Sequence, residues 1–379
     1  MNDVYDVAIV GAGMVGASIA WHAAPRARVL VLEQESAAGY HATGRSAALY
    51  TEAYGPPAIR ALTRASRAFF DAPPSGFCGH PLLHLRGTLL VGRDEDRAAL
   101  ETLSRTLVAE GSPVLLLSGD EIRSRVSVLR PEASVLGVFD AGAFDIDVDG
   151  LLQGFVRGAR QAGVEFAYGA ALRELGRHGG EWTLALADGR RFTARHVVNA
   201  AGAWADEVAA LAGVARLGIE PRRRSAFLFE PPAGLETAHW PAVIAADESW
   251  YFKPDASLLL GSPANADPDR PHDVLADDLD VAIGIDRLET ATTLTIPQPR
   301  STWAGLRTFT PDGEPACGFD AGAPGFFWAA GLGGYGIQTA PAFGRLAAAL
   351  VLGDGVPADV AGEGLALRQV DPARFRNAA

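Results

Sequence analysis

Glycines at 11, 13 and 16, set between a β-branched run and a run of small residues, restrict this chain more than any other feature. Tyr5 to Val10 reads as a strand, Gly11-Ala12-Gly13-Met14-Val15-Gly16 as a turn, and Ala17 to about Ala24 as a helix stopped by Pro25. Gly11 permits the tight turn, Gly13 lets the backbone approach a pyrophosphate, and Gly16 lets helix and strand pack closely. The free N–H groups and positive end of such a helix suit phosphate. Val29 to Leu32 is a second strand, and the helical crossover makes the two strands parallel. Glu33 then stands 20 residues beyond Gly13. It can accept both hydroxyls of a ribose, and it would repel a 2′-phosphate, which disfavours NADP.

The fingerprint alone fits NAD or FAD. Three further segments suit a longer dinucleotide. His41-Ala42-Thr43-Gly44-Arg45-Ser46-Ala47-Ala48 supplies hydroxyls and one Arg soon after the second strand. Asn199-Ala200-Ala201-Gly202-Ala203-Trp204 is a strand end of small residues, and Gly331 to Gln338 is a second glycine-rich turn into a helix running to about Leu352. A helix start there could face the electron-rich edge of a flavin. With one dinucleotide fingerprint, the organic substrate rather than NAD(P)H is the expected reductant.

With 379 residues there is room for about two domains. The expected fold is α/β: a Rossmann-type FAD-binding domain (1–85, 148–216 and 304–379) with a second, α+β substrate domain (86–147 and 217–303) built on an antiparallel sheet. Helical spacing covers Ile59 to Phe70, Asp94 to Ala109 and Leu151 to Ala162. Strands are expected at Arg86 to Val91, Ser134 to Phe139, Val164 to Tyr168, Trp182 to Ala187, Arg223 to Phe229, Trp250 to Phe252 and Leu258 to Leu260. Pro-rich loops are expected between 230 and 300. The net charge of −12 repels phosphate backbones and disfavours a nucleic-acid partner. Cys78 and Cys317 are too few for a disulfide framework, and no CxxC or Cys/His cluster has zinc spacing, so no metal is expected. Neither a transmembrane run nor a basic, apolar leader is visible. A cytoplasmic protein is the expectation, with peripheral membrane contact left open.

Over nearly its whole length the chain resembles the FAD-dependent D-amino-acid oxidoreductase (DAO) family, which includes glycine and sarcosine oxidases. Its closest likeness there is to D-arginine dehydrogenase-type enzymes. The likeness is carried by Gly39 to Ser46, Arg223 to Phe227, Leu260 to Pro268, Trp303 to Arg307 and Gly333 to Gln338. It implies non-covalent FAD, hydride transfer from Cα to flavin N5, and hydrolysis of the imine to a 2-oxo acid and ammonia. The implied cofactor contacts are Gly11, Ala12, Gly13, Met14, Gly16, Glu33, Gln34, Thr43, Gly44, Arg45, Ser46, Ala48, Leu172, Ala200, Gly202 and Trp204, then Arg307, Gly333, Gly334, Tyr335, Gly336, Ile337 and Gln338.

The same likeness makes Arg307 a clamp for the substrate carboxylate, a task suited to a guanidinium fork. Arg224 is the second cation; on a strand it shares a face with Arg222 and not with Arg223. Tyr251 matches a carboxylate-binding tyrosine and Tyr54 a tyrosine on a closing loop, while Thr51, Gly334 and Gln338 match positions lining the site. Two positions depart from the D-arginine dehydrogenase pattern: Leu49 replaces a histidine and Thr88 a glutamate that pairs with a cationic side chain. The expectation is therefore a D-amino-acid dehydrogenase favouring neutral side chains. Lys253 is the one lysine, and the position best matching the oxygen-activating lysine of sarcosine oxidase-like relatives falls near Leu259. A quinone-like or other carrier is the expected electron acceptor; the alternative is a glycine/sarcosine-type amine oxidase using O2.

Overall fold

The structure is a computed structural model and describes residues 4–376. Strand Tyr5–Val10 lies at the middle of an eight-stranded sheet, with Val29–Leu32 parallel on one side and Arg191–Asn199 parallel on the other. Glu165–Ala167 extends the parallel set beyond Val29–Leu32, and Phe326–Ala330 runs parallel beside the end of Arg191–Asn199. Tyr5–Val10, Val29–Leu32 and Phe326–Ala330 are apolar almost throughout because both faces are covered, whereas Arg191–Asn199 is continuously buried only from Val197 on. All of Val29–Leu32 and Phe326–Ala330 is buried. Helices Met14–Ala23 and Ala340–Val351 pack on one face through Ile19, Ala20, Phe343 and Leu346.

A ten-stranded sheet forms the second layer. Its middle strands are Ser301–Phe309, Glu220–Phe229, Leu258–Ser262 and Tyr251–Asp255, paired antiparallel in that order. Ala242–Ala245 continues it and joins Thr88–Gly92 in a parallel pairing; Leu136–Asp140 and Val114–Ser118 follow. Phe227, Phe229, Trp240, Phe252 and Leu259 pack its outer core. A small third sheet of Leu49–Tyr50, Phe144–Ile146 and Leu83–Leu85 connects the layers. Among the described residues no helix is long and apolar enough to cross a membrane.

This is the expected α/β architecture with a second α+β layer. Three details differ from the sequence reading. Helix Asp278–Ala291 occupies part of the region read as loops. It buries only Val281, Gly284, Leu288 and Ala291, too thin an apolar stripe to stand out, and it starts where Asp277 accepts the Leu279 N–H at 2.9 Å. Strand Ala242–Ala245 lies outside the expected strands, and its parallel pairing with Thr88–Gly92 interrupts the otherwise antiparallel sheet. Strand Ser301–Phe309 runs across position 304, the expected domain border, and pairs along its length with Glu220–Phe229.

Candidate cofactor and substrate site

A cavity of about 470 Å³ opens at the C-terminal ends of the parallel strands and reaches the ten-stranded sheet. That end of an α/β sheet is where ligands usually bind. Gly11 sits at φ +106°, and a Cβ there would stand 2.5 Å from the Ala200 carbonyl oxygen. At Gly16 a Cβ would fall 1.9 Å from the Gly11 oxygen. The turn therefore closes only with glycine at both positions. No side chain caps the following helix at Gly13, so its N-terminus is open to the cavity, apart from the Met14 N–H, which Thr43 Oγ1 accepts at 3.0 Å.

Glu33 is 8% exposed and lines the same cavity. Its Oε2 accepts the Ala12 N–H at 2.7 Å and its Oε1 the Glu35 N–H at 3.0 Å. A carboxylate has about four acceptor positions, so it can hold the turn and still accept ribose hydroxyls. Gln34, Leu172, Ala200, Gly202 and Trp204 border this end, with Trp204 against His41 at 4.6 Å between ring centres. An open helix N-terminus beside a carboxylate with acceptor capacity to spare fits the pyrophosphate and ribose of FAD.

Arg45 and its neighbours also hold the fold together locally. Arg45 borders the cavity, but its guanidinium donates to the carbonyls of Val274 (2.8 Å) and Ala304 (3.1 Å) and pairs with Asp273. It ties the loop to the second sheet. Gly44 N–H bonds the Gly39 carbonyl at 2.8 Å, and Ser46 Oγ accepts the Ala48 N–H at 3.1 Å. Gly44 and Ala48 border a second cavity of about 280 Å³, together with Lys253 and Trp303.

At the other end, Arg224, Tyr251 and Arg307 meet, with Gly333, Gly334, Gly336 and Ile337 on the facing turn. Strand register explains the pair of cations. Arg307 lies opposite Arg222 and Arg224 opposite Gly305, so Arg224 and Arg307 are diagonal neighbours on one face. Arg222 instead pairs with Glu220, and Arg223 with Asp280 on the other face. Among the described residues, no carboxylate lies within ion-pair distance of Arg224 or Arg307. Burial, and then the charge of Arg307, push the Arg224 pKa down. Arg224 is held by its Nε–H bond to the Asn265 carbonyl at 2.6 Å and lies 5.9 Å from the Tyr251 ring centre. The Arg307 guanidinium rests on Gly334, where a Cβ would stand 2.9 Å from Cζ. Two unpaired guanidinium groups facing one cavity make an anion site.

Tyr54 is exposed at this end. Its ring meets Tyr335 edge-on at 5.3 Å, and its hydroxyl bonds Glu248 Oε1 at 3.3 Å. Enclosure of the hydroxyl by its neighbours, and then the Glu248 charge, raise the Tyr54 pKa. Thr51, Gln338, Leu49 and Thr88 do not border the cavity. The Gln338 amide bridges the Thr51 N–H (3.3 Å) and Thr63 Oγ1 (3.0 Å), while Thr51 Oγ1 donates to Asp140 at 2.9 Å. Leu49 pairs with Asp145 in the small sheet, and buried Thr88 stands across from buried Asp140. The helix after the second glycine turn starts at Ala340, beyond the residues that border the cavity.

Sequence reasoning does not single out Asn265, whose carbonyl positions Arg224, although its segment is among those that carry the family likeness. Nor does it single out the partly buried network in which Asp145 accepts from Lys253 Nζ at 2.6 Å and from Arg86 Nε at 2.7 Å. Nothing local links these three residues.

A family model described as FAD dependent oxidoreductase (DAO) matches residues 6–350. The chain is 27% identical to FAD-dependent oxidoreductase domain-containing protein 1 of Mus musculus, covering 92% of this chain and 81% of that protein. It is also 27% identical to hydrogen cyanide synthase subunit HcnC of Pseudomonas aeruginosa, over the whole of both chains. The crystal structure of glycine oxidase from Geobacillus kaustophilus superposes with a TM-score of 0.82 at 25% identity, covering 97% of this chain and 99% of that one.

Proposed function

The chain belongs to the FAD dependent oxidoreductase (DAO) family and uses FAD, and on that premise we propose that it oxidises the amine of an α-amino acid, as a D-amino-acid dehydrogenase. The observation that carries the reading is the unpaired Arg224–Arg307 couple on one cavity wall. Bound FAD would accept a hydride from the substrate Cα, leaving an imine that water converts to a 2-oxo acid and ammonia. The chain's own residues bind and orient. Arg224 and Arg307 hold the carboxylate, Tyr251 donates a hydrogen bond to it, and Tyr54 with Tyr335 screens the opening. Glu33 and the open helix end hold the cofactor non-covalently. The D configuration rests on the likeness to D-arginine dehydrogenase-type enzymes. Leu49 and Thr88 do not border the cavity, so the preference for neutral side chains rests instead on its lining, whose carboxylates, Glu33 and Glu207, stand toward the cofactor end.

Reoxidation by a carrier rather than O2 is supported by Lys253, whose ammonium is engaged by Asp145. The glycine oxidase likeness favours a second reading, a small-amine oxidase reoxidised by O2. Anaerobic bleaching of the flavin against D- and L-amino acids, glycine and sarcosine tests both readings. Bleaching by neutral D-amino acids, with little peroxide formed in air, supports the first. Bleaching by glycine or sarcosine alone, with peroxide equal to turnover, replaces it with the second.

A further inference from the structure

Outside the residues that border either cavity, Cys78-Gly79-His80 lies on the loop after helix Pro57–Asp71, against the start of helix Val148–Gln161. The geometry points to a zinc-class metal site made by Cys78, His80 and Asp147. One ligand atom from each residue lies within 4.8 Å of the others. Cys78 Sγ is 3.6 Å from His80 Nδ1, and Asp147 Oδ2 is 3.3 Å from the same nitrogen. Around a tetrahedral Zn²⁺ with Zn–S of about 2.3 Å and Zn–N and Zn–O of about 2.0–2.2 Å, those edges come to about 3.6 Å and about 3.4 Å. The two edges match; because Sγ lies 3.7 Å from Nε2 as well, the exposed His80 ring must turn to aim its Nδ1 lone pair between thiolate and carboxylate, and a fourth corner is left for water.

The surroundings fit this use. Asp147 divides its carboxylate: Oδ1 accepts the Gly150 N–H at 2.9 Å, fixing the group from behind, and Oδ2 faces the histidine. Gly150 makes the room, because a Cβ there would stand 2.4 Å from Asp147 Oδ2 and 3.2 Å from His80 Cε1. Without metal, Nδ1 has the Pro81 carbonyl within 3.4 Å. A nucleophilic triad would hold thiol and carboxylate on opposite ring nitrogens. Here the carboxylate lies at Nδ1, while the thiol stands 3.6 and 3.7 Å from the two ring nitrogens and in line with the lone pair of neither. Thiolate, imidazole and carboxylate together select zinc over magnesium or calcium. Binding would displace the Cys78 proton and fasten the loop to the helix.

The chain's two cysteines make the test simple. Cys317 is fully buried, so a thiol reagent applied to the folded holoenzyme reads Cys78 alone. Yellow holoenzyme is stripped with a chelator, reloaded with Zn²⁺ or Co²⁺, and desalted. Expected are about one metal per chain, loss of Cys78 labelling on Zn²⁺ addition, and a Co²⁺ band at wavelengths beyond oxidised flavin absorption. Cys78→Ser and His80→Gln should retain FAD and the melting temperature of the stripped protein, yet hold less than a tenth of the metal. Metal content unchanged in both variants, or Cys78 labelling indifferent to Zn²⁺, overturns the assignment.

Discussion

Replacing Arg307 by Met should reduce kcat/KM by about two orders of magnitude without weakening the fold. In the bound state a substrate carboxylate meets two guanidinium groups, with no protein carboxylate competing for them. A charge-assisted hydrogen bond contributes roughly 1.5–3 kcal/mol. A charge pair at about 4 Å, at the effective dielectric of a partly closed site, contributes up to roughly 4 kcal/mol. Arg224 remains and takes part of the load, so the net loss is about 3 kcal/mol, or about 150-fold at 1.36 kcal/mol per decade. Stability should move the other way. Without substrate, Arg307 repels Arg224 and helps push its pKa down, and Met removes that repulsion. The substrate carboxylate keeps its charge through the oxidation, so the loss belongs to binding and not to the chemical step. Anaerobic stopped-flow separates the two: the Kd for substrate should rise steeply while the limiting rate of flavin reduction changes little. Arg307→Lys, which keeps the charge but loses the planar fork, should fall between. A loss under threefold, a loss confined to the limiting rate, or a lower melting temperature refutes the reasoning.

Glu33→Gln turns an NH2 toward one of the two backbone N–H groups that the carboxylate now accepts, so it should cost roughly 1–3 kcal/mol of turn stability and reduce FAD content after dialysis; full retention with an unchanged apo-protein melt contradicts this. His22, packed by Trp21 and Phe155, has its pKa lowered from 6.5 to about 3 by burial and then by Arg345. As pH falls, the unfolded chain takes this proton first, so the contribution is full above pH 6.5 and is lost toward pH 3. From pH 6.5 to 5 urea unfolding should show about 1–2 kcal/mol lost, allowing for solvent screening, and His22→Leu should flatten that slope. Thr88→Glu would place a second carboxylate beside buried Asp140, so the melt should fall and the relative preference for D-arginine should not rise; a stable variant with a marked gain for D-arginine would reverse this view.

What the sequence made legible was local or periodic. The strand–turn–helix–strand from Tyr5 to Leu32 needs only neighbours to specify it, and Gly11 and Gly16 are forced by contacts within that unit and with the adjoining strand end at Ala200. Strand alternation separated Arg224 from Arg223. What stayed hidden depended on distant partners. Arg45 looks like a phosphate ligand by position, but its acceptors lie at 273, 274 and 304. Gln338 falls in a motif that meets the cavity, yet its amide is taken up by Thr51 and Thr63. Lys253 carries no sign in sequence that Asp145 awaits it. A strand pattern gives the face of a residue and not its partner.

The Arg45 tie joins the loop at the cofactor end directly to strand Ser301–Phe309, which carries Arg307 at the substrate end. One side chain and two carbonyls thus connect the two ends. Linkage requires the coupling to be reciprocal: if a carboxylate on Arg307 tightens retention of FAD, FAD must tighten that carboxylate by the same factor. If so, the apo-protein should be a poor receptor even for a simple substrate-like acid, and severing the tie with Arg45→Met should reduce the coupling between the two affinities.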